Sequence, residues 1–370
     1  MECRYFGECG SCKLFNISYK DQFRLKIDRF KKLFKEFGVE NIELFSSKES
    51  HFRARAEFRI FHDEKIFYAM HSLKDKRLIK IDDCKIVSRP IYNLMPKLLK
   101  EIEKSLILNE KLFRVEFLTS QTNEILVTLI YHKRLDEEWI KRAKELQELF
   151  SIFIIGRSRG QKEVLGRDFI IEELKIFDRK YRLIQNEGGF TQPNPSVNQK
   201  MIEWAKENSK EFRGDLLELY CGSGNFTIPL SENFNKILAT EISKNSIKVA
   251  LKNCKINNIL NIKFVRLSSE EFADAFNKKR VFKRLKDANI NLDSYNFTTI
   301  FVDPPRAGLD EKSREILKNF ENIIYISCNP QTLYRDLKEI TKSHKIEKFA
   351  LFDQFPYTHH LESGVILKKC

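Results

Sequence analysis

No apolar run in this 370-residue chain approaches the roughly 20 residues needed to cross a bilayer. The first residues, Met1 to Arg4, lack the apolar core of a secretory signal. The expectation is a protein of the cytoplasm without membrane contact, where thiols stay reduced. The eight cysteines are therefore read as ligands, nucleophiles or buried fillers before disulfides. Internal repeats and low-complexity linkers are missing too, and nothing in the pattern asks for a protein partner. Acidic residues are in deficit: 52 Asp and Glu face 66 Lys and Arg, a formal net charge of +14. Such an excess favours a polyanionic partner, because each neutralised phosphate releases condensed counterions.

What is present divides the chain at about 185/186. In the first part Phe52, Ala54, Ala56, Phe58 and Ile60 alternate with Arg53, Arg55, Glu57 and Arg59. Period-two alternation predicts a half-buried strand, with the three arginines on a flat face suited to RNA. Further strands are predicted at Leu112 to Leu118 and Glu124 to Tyr131, with helices near Tyr19 to Phe37, Pro90 to Leu106 and Leu135 to Leu149. From about Asp215 strands and helices alternate strictly, the mark of a parallel, doubly wound α/β sheet. The basic stretch Lys278 to Asp287 reads as a solvated helix face.

The run Leu216 to Phe226 leads from a buried strand through Gly222 and Gly224 into a helix, a turn that lets backbone approach a ligand closely. Glu241 ends the second strand, where an acidic side chain would bind ribose hydroxyls. The third glycine of the dinucleotide fingerprint is missing, which argues for a ribose-bearing cofactor without pyrophosphate, such as S-adenosylmethionine. Asp303 follows the fourth strand and Cys328 the fifth. Ligands of open α/β sheets bind beyond the carboxyl ends of the strands, so Gly222, Glu241, Asp303 and Cys328 should meet in one crevice. A cysteine beside a methyl donor has a use: carbon 5 of uracil is too poor a nucleophile unless a thiolate first adds at carbon 6. A base must then remove the carbon 5 proton; Glu362 is the candidate, with His359 and His360 as competitors.

With these motifs in place, the chain resembles the RNA uracil-5-methyltransferase family. The resemblance rests on Phe190–Asn194, Leu217–Phe226, Ala239–Glu241, Phe301–Arg306, Tyr325–Pro330 and Leu351–His360. It implies Cys328 as nucleophile and Glu362 as base, with Gln192, Tyr220, Asn225, Glu241 and Asp303 around cofactor and target base. The implied fold is a Rossmann-like S-adenosylmethionine-dependent methyltransferase domain (186–370) preceded by an α+β RNA-recognition region (1–185). Tyr131–Trp139 and the carboxyl-terminal motif resemble the branch acting on tRNA, at the T-loop uridine at position 54, with tmRNA as a further T-arm-like substrate. That branch stacks an aromatic on RNA at the position of Phe113. The start of the chain at its cysteine cluster leaves no room for the oligonucleotide-binding barrel of some ribosomal-RNA relatives. Cys3, Cys9 and Cys12, with Cys84, instead resemble the 4Fe–4S motif of the ribosomal-RNA branch; zinc and unliganded thiols are the alternatives. Three rival readings are a uracil-5-methyltransferase of ribosomal RNA, an RNA-binding or RNA-folding protein whose catalysis is secondary, and an exocyclic-amine methyltransferase, which needs neither Cys328 nor Glu362.

Overall fold

A computed structural model describes residues 1–75 and 77–370. Its larger sheet has eight strands, in the order Ile42–Phe45, His344–Phe352, Glu362–Lys369, Asn322–Ser327, Phe297–Val302, Asp215–Leu219, Ile237–Thr240, Ile262–Val265. The five strands from Asp215 to Ser327 run parallel. Their residues are almost all buried, as continuous apolar runs require when helices cover both faces. The expected all-parallel sheet ends there. Glu362–Lys369 inserts antiparallel between Asn322–Ser327 and His344–Phe352. The loop joining it to His344–Phe352, Asp353 to Leu361, is too short for the crossover a parallel neighbour would need.

The smaller sheet has seven strands, from Leu78–Ile81 through Ile66–His71, Arg55–His62, Leu112–Thr119, Ile125–Tyr131 and Phe153–Ser158 to Gln161–Leu165. Helix Arg89–Lys104 buries Ile91, Leu94, Met95, Leu98 and Ile102 in the same core, one apolar stripe at helical spacing. Trp139 of helix Glu137–Phe150 fills the space beside Gly156, where an added Cβ would come within 2.3 Å of its ring.

The boundary expected at 185/186 moves at both ends. Helix Tyr19–Leu33 places Phe30 against Phe349 of the larger sheet, and Ile42–Phe45 pairs parallel with His344–Phe352 at that sheet's edge. The hairpin Phe169–Ile176/Arg179–Asn186 buries Leu174, Ile176, Tyr181 and Leu183 on the other face. Asn253 and Asn257 of helix Lys244–Ile256 accept its backbone N–H groups at 2.7 and 2.9 Å. The separate first core is thus the stretch from Arg55–His62 to Gln161–Leu165. Burial of amphipathic faces, not chain order, assigns the rest to the larger sheet.

Candidate active site

Strand Asp215–Leu219 delivers the chain into a turn that only unusual backbone can make. Tyr220, Gly222 and Gly224 have φ of 63°, 55° and 88°. A non-glycine residue there costs on the order of 1 kcal/mol, a strain typical of ligand sites. The Tyr220 hydroxyl donates to Asp310 Oδ2 at 3.3 Å. Glu241 holds the same turn, its two oxygens accepting from Gly222 N at 3.1 Å and Ser243 N at 2.7 Å.

Gln192, Tyr220, Gly222, Asn225 and Asp303 line one open cleft of about 830 Å³. A Cβ on Gly222 would meet nothing within 4 Å, so the turn leaves space beside its backbone. Two partners here were not anticipated. Asn198 exchanges a reciprocal pair of 2.8 Å amide hydrogen bonds with Asn225. Gln354 donates to Gln192 Oε1 at 2.7 Å. Amides without a motif carry no sequence signal; the spacing of Asn194, which caps helix Pro195–Ser209, to Asn198 was the available hint.

Glu218 also lines the cleft, fully buried, and its Oε2 has no hydrogen-bond partner among the described residues. Burial, then the nearby Asp303, pushes its carboxyl up to about 8. Burial likewise pushes Asp303 up to about 7. Glu362 is raised well above the carboxylate range by burial and then Asp303, with Arg306 opposing. Register brings it there: Ser363 lies opposite Ser327, so Glu362 and Cys328 leave adjacent strands side by side. Burial pushes the Cys328 thiol up to about 12, reinforced by Glu362 and Asp303 and opposed by Arg306. Asp303, Cys328 and Glu362 therefore share one electrostatic centre. Asn329 Nδ2 latches the two strand-end turns by donating to Arg306 O at 2.9 Å.

Cys328 opens into a second cavity of about 880 Å³, lined by Arg306, His359, His360 and by Lys26 and Arg29 of helix Tyr19–Leu33. The helix is fixed by a buried ion pair, Lys26 Nζ to Asp353 Oδ1 at 2.6 Å, with a second bond to Phe355 O at 2.9 Å. These partners are 327 residues apart, beyond any local pattern. The Asp303–Arg306 turn divides the cavities, Asp303 facing the first and Arg306 the second.

The three arginines do not share one solvated face. Arg53 precedes the strand, its backbone bonding Ile86 and Ser88 and its Nε donating to Arg55 O at 2.9 Å. Burial lowers its pKa, and it lies beside Cys84 and Cys12. The alternation cannot show where pairing begins, and Arg53 falls just before the ladder. Arg55 donates to Gly189 O. Arg59 stands 4.5 Å over the ring of Phe113, which meets His132 edge-on at 4.3 Å. The ladder shifts register between Leu112 and Arg114, so Phe113 sits at a bulge, a device that re-aims a side chain. The rest of the face is mixed, since Arg114 pairs with Glu57 at 3.1 Å and Glu116 at 3.4 Å. Within Lys278 to Asp287, Arg284 and Lys278 pair with Glu271 and Asp293.

Cys3, Cys9, Cys12 and Cys84 gather on the smaller domain, each close enough to raise another's pKa. Burial is the larger cause, and it pushes Cys84 up to about 12. Among the described residues, however, no group of three or more His, Cys, Asp or Glu is arranged to hold a metal ion. As placed, the thiols do not fit a 4Fe–4S cluster or zinc.

Five parallel strands closed by an inserted antiparallel one, with a glycine turn after the first and acidic residues within the first and after the second and fourth, define a Rossmann-like S-adenosylmethionine-dependent methyltransferase. Residues 18–370 match the family model described as tRNA (Uracil-5-)-methyltransferase, and the chain belongs to that family. A tRNA/tmRNA (uracil-C(5))-methyltransferase of Aliarcobacter butzleri is 56% identical, covering 100% of this chain and 99% of the relative. One from a Nitratiruptor species is 54% identical over 100% of both. Among solved structures, a Pyrococcus abyssi tRNA (uracil-54, C5)-methyltransferase with bound S-adenosyl-L-homocysteine aligns with TM-score 0.73 at 21% identity, over 96% of this chain and 85% of that one. At that identity the alignment speaks for the fold.

Proposed function

We propose that the protein methylates carbon 5 of a uridine in tRNA, at T-loop position 54, with tmRNA as a second substrate. The observation that carries this reading is the convergence of the Cys328 thiol with buried Glu362 and Asp303 between two cavities. Gln192, Tyr220, Asn225, Glu241 and Asp303 would hold S-adenosylmethionine, which supplies an electrophilic methyl group. The orphaned Glu218 oxygen and the open space at Gly222 fit a ligand that is cationic and closely approached by backbone.

Cys328 must lose its proton to add at carbon 6 of the uracil. In its raised state the thiol needs help, and Arg306 is the neighbour that favours the anion. Addition places negative charge on the ring and makes carbon 5 nucleophilic. After methyl transfer Glu362 removes the carbon 5 proton, and the bond from sulfur to carbon 6 breaks. A fully buried carboxylate is a stronger base than a solvated one, which suits proton abstraction from carbon. Phe113, flanked by Arg59, offers a ring on which an RNA base can stack.

No helix among the described residues is long and apolar enough to cross a membrane, in keeping with work on tRNA in the cytoplasm. Cys3, Cys9, Cys12 and Cys84 gather without an arrangement that would hold a 4Fe–4S cluster, and the reading carries no step or support from one.

The decisive experiment uses methyl-labelled cofactor with unmodified tRNA and, in parallel, ribosomal RNA. Label in 5-methyluridine of the T loop supports the reading. Label confined to ribosomal RNA, or to an exocyclic amine, replaces it.

A further inference from the structure

The cavity that exposes Cys328 has a mouth built from cations and imidazoles, of which the reaction above uses only Arg306. Arg29 reaches it from helix Tyr19–Leu33, Arg306 from the Asp303 turn, and His359 and His360 from the loop before Glu362. All four are exposed. Among the described residues no carboxylate bonds either arginine side chain, whereas Lys26 below them is taken by Asp353.

The contact between Arg29 Nη1 and His359 Nδ1, at 2.9 Å, fixes a protonation state. A guanidinium only donates, so Nδ1 must accept. His359 is therefore neutral, with its proton on Nε2. Two groups that would both be positive in the presence of an anion are held together with one of them discharged.

Their surroundings favour this state. Burial and then Arg29, Lys13 and Lys26 lower the pKa of His359; burial and then Arg306, Lys13, Lys26 and His359 lower that of His360. Of the carboxylates nearby, Asp353 is bound to Lys26, and Glu362 is buried beneath the loop.

We propose that Arg29, Arg306, His359 and His360 form a phosphodiester clamp for the nucleotide being methylated, and that phosphate entry adds a proton to His359. A base that leaves its stack to reach Cys328 must draw its flanking phosphates to this mouth. There Arg29 turns its N–H groups to the phosphate, Nδ1 is released, and it takes a proton from solvent. The imidazolium then becomes a further partner of the anion. RNA binding is thereby linked to proton uptake, and it tightens as pH falls through the histidine range.

This inference rests on the RNA-methylation reading, so wild-type turnover on a T-arm hairpin is measured first; no turnover would fail that reading by itself. Dissociation constants for the same hairpin are then taken across salt concentrations near pH 6 and pH 8. Calorimetry in two buffers of different ionisation enthalpy counts protons. For the wild type we expect tighter binding at the lower pH, with net proton uptake. Arg29→Gln should reduce the slope of log affinity against log salt by about one, the share of one phosphate contact. His359→Asn should keep binding near pH 8 and lose most of the tightening near pH 6. Unchanged cofactor affinity in both variants certifies their folds. An unchanged salt slope in Arg29→Gln, or wild-type binding without proton uptake, overturns the clamp while leaving the methylation reading intact.

Discussion

The two cavities that meet at the Asp303–Arg306 turn are lined by ionisable groups of opposite kind. On the cofactor side Glu218 and Asp303 are buried without a cationic partner among the described residues, and both are raised toward or past neutrality. On the RNA side Arg29 and Arg306 stand exposed without a carboxylate. A sulfonium donor and a polyanionic substrate are thus drawn to different walls before they react. Cys328 and Glu362 sit where the two fields meet, which is where both reactants must be touched.

Removing the group at that boundary should have the largest effect. Cys328→Ala should lower methyl transfer by about a thousandfold or more while cofactor binding persists, because the thiol acts on RNA. Retained turnover in a single-turnover assay would remove Cys328 from the chemistry. Glu362→Gln should slow product release by a factor of about 10² to 10⁴ and leave a protein–RNA adduct visible on denaturing gels. Normal turnover would move the base to another residue.

The acidic wall is tested by stability. The raised carboxyls of Asp303 and Glu218 bind protons in the folded protein that they release when unfolded, where their ordinary pKa values are about 4. Their contribution is fully present below that range and is lost as pH rises through about 7 for Asp303 and about 8 for Glu218. Cofactor-free protein should therefore lose stability across this window, by about 1.4 kcal/mol per pH unit for each proton released. Glu218→Gln should flatten that slope, as read by thermal unfolding at several pH values. The smallest effects belong to the outer sheet. Phe113→Ala should weaken RNA binding by about 1 to 3 kcal/mol without touching cofactor affinity. Arg53→Ala, at a half-buried position, should cost stability and leave RNA affinity nearly unchanged.

Much of the active site could be read because its residues stand at the ends of apolar runs. Runs such as Leu216–Leu219 and Ile323–Ser327 announce buried strands, and topology then puts Gly222 and Asp303 in one cavity and Cys328 in the next, across the Asp303–Arg306 turn, where one shared crevice was expected. What escaped has no periodic signature. The four residues Ile42–Phe45 are half exposed and carry no alternating pattern, yet they complete the sheet edge. Pairings at long range, Lys26 with Asp353 and Gln192 with Gln354, follow from packing alone. Arg53 was misplaced because alternation runs past the point where Arg55 begins the ladder.

The edge strand Ile42–Phe45 also bears on how the protein is made. Its hydrogen-bond partner, His344–Phe352, leaves the ribosome some three hundred residues later. The smaller sheet, bounded by Arg55 and Leu165, can close midway through synthesis. Helix Tyr19–Leu33 and the strand after it must wait, tethered and unpaired, for some three hundred residues of further elongation. The helix that brings Arg29 to the cavity mouth therefore docks late, and a nascent chain acquires its RNA-facing pocket only after His344–Phe352 has emerged.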